Sequence, residues 1–162
     1  MRAIIVGMGV QGRKRKKILG KEAKYTVDRF KKAEFKSIYD VPLKEFDTAF
    51  ICVPDLEKLK IVNYCVENGK NVLLEKPFIN KNTKALIKIE KLAIKKKVIL
   101  YTAYNHRFEP SIIKMQKLIK SNQLGKIYKC KIFYGNGTSL LVKKSKGRDK
   151  GKGVLIDIGS HL

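Results

Sequence analysis

The sequence is poor in the residues that build metal, disulfide and membrane-spanning structure. Its three cysteines, Cys52, Cys65 and Cys130, stand far apart. No spacing among them matches a zinc knuckle or a redox pair, and two fall in apolar runs, so they are expected as buried free thiols in a reducing cytoplasm. Long apolar runs are also missing. The longest, such as Ala49–Val53, are strand-length, which excludes a spanning helix. The apolar stretch after Met1 is too short for a signal-peptide core and stops at Gly7. Acidic residues are scarce as well: 14 against 37 lysines and arginines, a formal charge of +23. Such an excess is the footprint of many nucleic-acid binders. Only six of the cations are arginine, however, and the lysines are scattered over every element instead of forming one stripe. That texture predicts weak attraction to polyanions at low salt, not specific nucleic-acid recognition.

What is present is a globular composition, 44% hydrophobic, in 162 residues. The first hundred residues alternate short apolar runs with helical patterns, the signature of a parallel α/β sheet. Strands are expected at Arg2–Val6, Lys24–Val27, Thr48–Val53, Asn71–Leu74 and Val98–Ala103. Helices are expected from Val10 to about Leu19, with Gly20 as C-cap, and over Leu56–Glu67. Another follows Asn82 or Thr83, with Ala85, Leu86, Ile89, Leu92 and Ala93 on one face. A fourth runs from Pro110 to Ser121. Arg29–Phe46 reads as a short helix or an irregular linker. Lys126–Tyr134 alternates imperfectly and resembles a half-buried strand, Gly135–Lys152 is a glycine- and lysine-rich loop, and Gly153–Leu162 leads into an unfinished helix.

Gly7-Met8-Gly9-Val10-Gln11-Gly12 is a G-x-G-x-x-G between a strand and a helix. The first glycine permits the tight turn, the second lets the backbone approach a pyrophosphate, and the third lets helix and strand pack closely. The helix N-terminus adds free N–H groups and partial positive charge. Asp28 ends the second strand, 16 residues after Gly12, where an acid accepts hydrogen bonds from the adenosine ribose hydroxyls. Arg29 could hold a 2′-phosphate, but the carboxylate at 28 would repel it. NAD is therefore favoured over NADP.

Asn71-Val72-Leu73-Leu74-Glu75-Lys76-Pro77 is a strand running into Glu-Lys-Pro. Together with the glycine turn, it closely resembles the Gfo/Idh/MocA family of oxidoreductases, which includes glucose–fructose oxidoreductase and inositol dehydrogenase. Three later segments agree. Tyr104–Phe108 is similar to the family's segment after the last Rossmann strand, and Leu124–Ile127 to the lead-in to its second domain. Gly151–His161 resembles its glycine-rich D-x-G-x-H motif. The resemblance spans essentially the whole chain, in order.

The resemblance implies a Rossmann-type doubly wound parallel sheet over residues 1–104. The start of an incomplete α+β domain, for substrate binding and oligomerisation, would fill 105–162. It implies a cytoplasmic NAD(P)-dependent dehydrogenase, acting on a secondary alcohol of a sugar, cyclitol or sugar nucleotide, and homo-oligomeric in its full-length form. Lys76 corresponds to the lysine at the nicotinamide edge, and Asp157 and His161 to the acid and histidine pair. Glu75 and Pro77 would support Lys76, with a cis Lys76–Pro77 bond in view. Gly7, Gly9, Val10, Gln11, Gly12, Asp28, Arg29, Val53, Pro54, Asp55, Glu75 and Lys76 would line the cofactor; no metal is implied. The chemistry agrees with these roles. A histidine near neutral pKa suits proton removal, worth about 10²–10⁴-fold in rate. A lysine ammonium beside the same oxygen stabilises developing negative charge. Asp157 lies four residues before His161, on one face of a helix, where it could orient the imidazole or bind a substrate hydroxyl. His106 reads as structural or cofactor-proximal.

Two departures from the family's pattern stand out. The stretch between the second and third strands is short, so a Rossmann helix is reduced or absent there. Family members also continue well past the D-x-G-x-H motif, so this chain is expected to be truncated within the second domain. Lys126–Tyr134 would then be an unpaired edge. Two rival readings remain: a non-catalytic dinucleotide-binding module, and a basic nucleic-acid-binding protein.

Overall fold

The computed structural model of the chain describes residues 1–78, 82–133 and 159. Met1–Ala103 and Tyr104–Leu162 form two compact units. The first holds β1 (Ala3–Val6), α1 (Val10–Leu19), β2 (Ala23–Val27), β3 (Thr48–Ile51), α2 (Asp55–Glu67), β4 (Asn71–Leu74), α3 (Thr83–Lys96) and β5 (Leu100–Thr102). The five strands pair in parallel in the order β2-β1-β3-β4-β5. From β1 the chain steps to one side for β2, then returns past β1 and moves outward through β3, β4 and β5. With the right hand that such parallel crossovers take as a rule, the two opposite directions call for helices on both faces. This is the parallel α/β sheet that the alternation predicts, doubly wound and Rossmann-type as the resemblance implies, and its direction reverses between β1 and β3, where open α/β sheets bind ligands.

Burial explains the strand sequences. All four residues of β1, Ala3-Ile4-Ile5-Val6, are buried, as a central parallel strand covered on both faces requires. Ile51, Val62, Cys65, Val66, Val72, Leu74 and Ile89 continue the core between β3, β4, α2 and α3. Gly20 ends α1 with φ +53°, its N–H donating to Lys16 O, and the Asn82 side chain caps α3 by accepting from the Ala85 N–H.

The segment from 29 to 46 contains two short 3₁₀ turns, Ile38–Asp40 and Leu43–Glu45, where a longer crossover helix was in question. Ser37 and Asp40 cap the first turn reciprocally. The segment still contributes to the core, because Ile38, Val41 and Phe46 are all buried.

The second unit opens with a 3₁₀ turn, Asn105–Phe108, followed by α4 (Pro110–Lys120), with Pro110 in its first turn. The strand expected over Lys126–Tyr134 is not formed. Residues 126–133 have no regular structure and are exposed, Phe133 almost completely; Tyr134 lies outside the described residues. An alternating sequence becomes a strand only against a partner, and none pairs with it among the described residues. Cys130, in this stretch, is exposed instead of buried, whereas Cys65 is buried and Cys52 partly so. The expected loop at Gly135–Lys152 also lies outside the described residues, as does the closing helix apart from Gly159.

An ion pair ties the start of β1 to the start of β3 at the amino edge of the sheet. Arg2 donates Nη2 to Asp47 Oδ1 at 2.6 Å and Nε to Oδ2 at 3.1 Å, and its Nη1 reaches Lys44 O at 2.7 Å. Asp47 N–H answers with a bond to Arg2 O at 2.8 Å. The Arg2 guanidinium holds the Asp47 carboxyl down at about 2. A depressed folded-state value stabilises the fold above the ordinary aspartate value of about 3.9, and that stabilisation is lost as pH falls toward 2. NMR titration of Asp47 is expected to give a midpoint near 2. Urea midpoints should fall more steeply between about pH 4 and 2 in the wild type than in Asp47→Asn.

Candidate cofactor and active site

The register of the sheet builds one edge. Val27, Val6, Ile51, Leu74 and Thr102 are aligned across the five strands. The next residues, Asp28, Gly7, Cys52, Glu75 and Ala103, therefore emerge side by side at the carboxyl ends. Val53, Pro54 and Asp55 follow from β3, and Lys76 follows from β4. Every residue assigned to the cofactor from the sequence lies on this edge, in the turn leading into α1 or in the first turn of that helix.

The three glycines have three different geometries. Gly7 has φ +96°, and a Cβ there would lie 2.7 Å from Cys52 O. At Gly12 a Cβ would fall 1.9 Å from Gly7 O, so only glycine lets α1 pack this closely on the turn. Nothing lies within 4 Å of a Cβ at Gly9. The chain has no steric need of its own for glycine there; the missing side chain leaves open space at the first turn of α1. Val10 and Gln11 are exposed on that turn, and Gly9, as N-cap, has no side chain to cover its N–H groups. An open cradle of backbone donors fits a pyrophosphate.

Asp28 braces this turn. One carboxylate oxygen accepts from Met8 N–H at 2.6 Å, the other from Phe30 and Lys31 N–H at 2.9 and 2.8 Å. Burial opposes its charge, but these three amides and the Lys31 ammonium outweigh it and hold the carboxyl below the usual aspartate range. The carboxylate stays ionised and keeps capacity for a further donor. Lys31 Nζ and Arg13 Nη1 converge on Met8 O at 3.2 and 3.3 Å. Arg29 is exposed and lies over the Phe30 ring.

The Glu75-Lys76-Pro77 segment is fixed from two helices, and its Lys76–Pro77 bond is cis. Arg15 of α1 grips Glu75 Oε1 with Nε at 2.8 Å and Nη2 at 2.6 Å. Lys58 of α2 is only 2% exposed. Its ammonium donates to Asp55 Oδ1 at 2.8 Å and to the carbonyls of Glu75 and Pro77, each at 2.7 Å. Sequence reasoning missed both cations. Spacing gives a partial signal, since Lys58 follows the acid that opens α2 by one helical turn. Burial, and then the Glu75 charge, push the Cys52 thiol up to about 12, so it remains protonated and is no nucleophile. Asp157 and His161 lie outside the described residues. His106 contacts Glu109 within the second unit.

The model of the Gfo/Idh/MocA oxidoreductase family, described as an NAD-binding Rossmann fold, matches residues 13–104. The chain belongs to this family. The trans-1,2-dihydrobenzene-1,2-diol dehydrogenase of Xenopus laevis is 30% identical over 101 residues, covering 62% of this chain and 30% of that protein. Two solved structures share the fold. The Bacillus subtilis oxidoreductase yvaA superposes with a TM-score of 0.71 at 20% identity, covering 98% of this chain and 49% of that one. The scyllo-inositol dehydrogenase of Lactobacillus casei gives 0.66 at 19% identity, covering 77% and 42%. The Gfo/Idh/MocA chain thus spans about half the length of these structures. NAD is the cofactor of the family's fold, and the glycine turn, open at Gly9, fits its pyrophosphate.

The glycines separate folding from binding. Gly12→Ala is expected to cost about 1–3 kcal/mol or more, because backbone must move, and to lower the urea midpoint. Gly9→Ala should change the unfolding free energy by no more than about 1 kcal/mol, yet weaken NADH binding at least tenfold by calorimetry, an effect of about 1.4 kcal/mol.

Proposed function

We propose that the chain is the dinucleotide-binding part of an NAD-dependent dehydrogenase. Residues 1–104 form the Rossmann domain, and 105–162 begin a substrate and oligomerisation domain. The substrate class is a secondary alcohol of a sugar, cyclitol or sugar nucleotide, a reading supported by the family and by the diol and inositol dehydrogenases among its relatives. The single observation that carries the proposal is Lys76 emerging from β4 on the same sheet edge as the glycine turn, between two pinned neighbours.

NAD supplies the hydride acceptor when bound. The residues divide the remaining work. Backbone N–H groups from Gly9 to Gly12 hold the phosphates, and Asp28 takes a ribose hydroxyl. Val53, Pro54 and Asp55 border the ring end of the site. Lys76 places positive charge beside the substrate oxygen and stabilises it as its proton leaves. His161 is assigned the base that takes this proton, oriented by Asp157. Among the described residues no helix is long and apolar enough to cross a membrane. We place the protein in the cytoplasm, as a homo-oligomer in its full-length form, with no membrane or specific nucleic-acid partner.

Titration with NADH and NADPH tests the reading. A ligand present at a hundred times its Kd raises stability by about 2.7 kcal/mol, so a clear rise in Tm is expected with NADH and a smaller one with NADPH. No shift with either at millimolar concentration overturns nucleotide binding. Lys76→Ala should keep NADH affinity within about threefold, less than 0.7 kcal/mol. Turnover of polyols by the 162-residue chain should be very low; robust turnover would show that no further substrate domain is needed.

A further inference from the structure

A buried lysine is costly unless its charge and all three N–H donors are matched. At Lys58 they are: one carboxylate oxygen and two carbonyl oxygens at 2.7–2.8 Å satisfy the ammonium completely. The two carbonyls belong to Glu75 and Pro77, the residues on either side of Lys76. The carboxylate belongs to Asp55, in the first turn of the same helix, where negative charge is favoured. From α1, Arg15 holds the Glu75 carboxylate with two N–H groups on one oxygen. An apolar residue at 58 would leave two part-buried carbonyls without these donors.

We infer that Lys58 is a positioning residue for Lys76. Its ammonium fixes the backbone before and after Lys76 and so sets where the Lys76 side chain stands at the nicotinamide end of the site. This deepens the proposed dehydrogenase reading and rests on it. The coupling has a direction: Lys58 acts on the ring end of the cofactor through Lys76, while the adenosine end, held by the glycine turn and Asp28, is independent of it.

A double-mutant cycle tests the inference, with two probes. ADP-ribose reports the adenosine and pyrophosphate half, and NADH reports the nicotinamide half through its emission and its affinity. Lys58→Met is expected to leave ADP-ribose affinity unchanged within error and to weaken NADH by about as much as Lys76→Ala does, about two- to threefold. In a Lys76→Ala background the same substitution should have no further effect on NADH. An equal NADH loss with and without Lys76, or a parallel loss of ADP-ribose, gives Lys58 a purely structural role and overturns the inference. Failure of the wild type to bind ADP-ribose or NADH sinks the nucleotide reading itself, a distinct result. Should Lys58→Met not fold, the wild-type protein answers. Ammonium-detected NMR is expected to show Lys58 as a slowly exchanging NH₃⁺ with couplings across hydrogen bonds to the Glu75 and Pro77 carbonyl carbons. A fast-exchanging Lys58 ammonium overturns the inference.

Discussion

In a parallel sheet whose strands pair in step, the chain must leave every strand at the same edge. Here the aligned row of Val27, Val6, Ile51 and Leu74 forces Asp28, Gly7, Cys52 and Glu75 to emerge together. The reversal of strand order between β1 and β3 opens the space above that row. The contact of α1 with its own turn then aims the helix. Because Gly12 has no Cβ, its Cα approaches the Gly7 carbonyl, and the helix N-terminus comes down over the switch point instead of beside it. Asp28 locks the same turn from β2 through the Met8 amide. The site is thus a product of backbone geometry, with few side chains needed to shape it.

That dependence on backbone explains what could be read from the sequence. Gly7 and Gly20 punctuate β1 and α1, and the four buried residues of β1 form an apolar run that only a central strand would carry; those boundaries were legible to within a residue. The segment from 29 to 46 was not, since Ile38, Val41 and Phe46 enter the core from irregular backbone that follows no period. Lys126–Tyr134 misled for the opposite reason. Alternation is a local property, whereas strand formation requires a partner. The glycines, Asp28 and the Glu-Lys-Pro segment were visible as motifs. Arg15 and Lys58 were not, because in a chain with 37 basic residues a buried cation looks like a surface one. Only burial and the positions of acceptors distinguish them.

The large positive charge therefore has two populations with different physics. Most lysines are solvated: Lys88, Lys91 and Lys95 lie exposed along α3. Exposed charges of this kind are screened within about 10 Å at ordinary salt. Lys58 is shielded from that screening, and its ammonium is fully committed to three oxygens. Net charge consequently says little about this site, where individual cations are assigned to individual acceptors.

On the proposed reading, Asp28 serves both the fold and the cofactor. Its carboxylate accepts three backbone N–H groups, which hold the glycine turn and the turn after β2 in one geometry. Those same donors keep it ionised against the cost of burial. On the proposed reading, a fixed negative charge with one remaining acceptor position meets the adenosine ribose. A ribose hydroxyl satisfies that position and carries no charge, whereas a 2′-phosphate would bring a dianion against it. The exposed Arg29 cannot remove that repulsion without displacing a carboxylate that the turn itself requires. On that reading, the expected preference for NAD over NADP follows from the bonds that fold the turn.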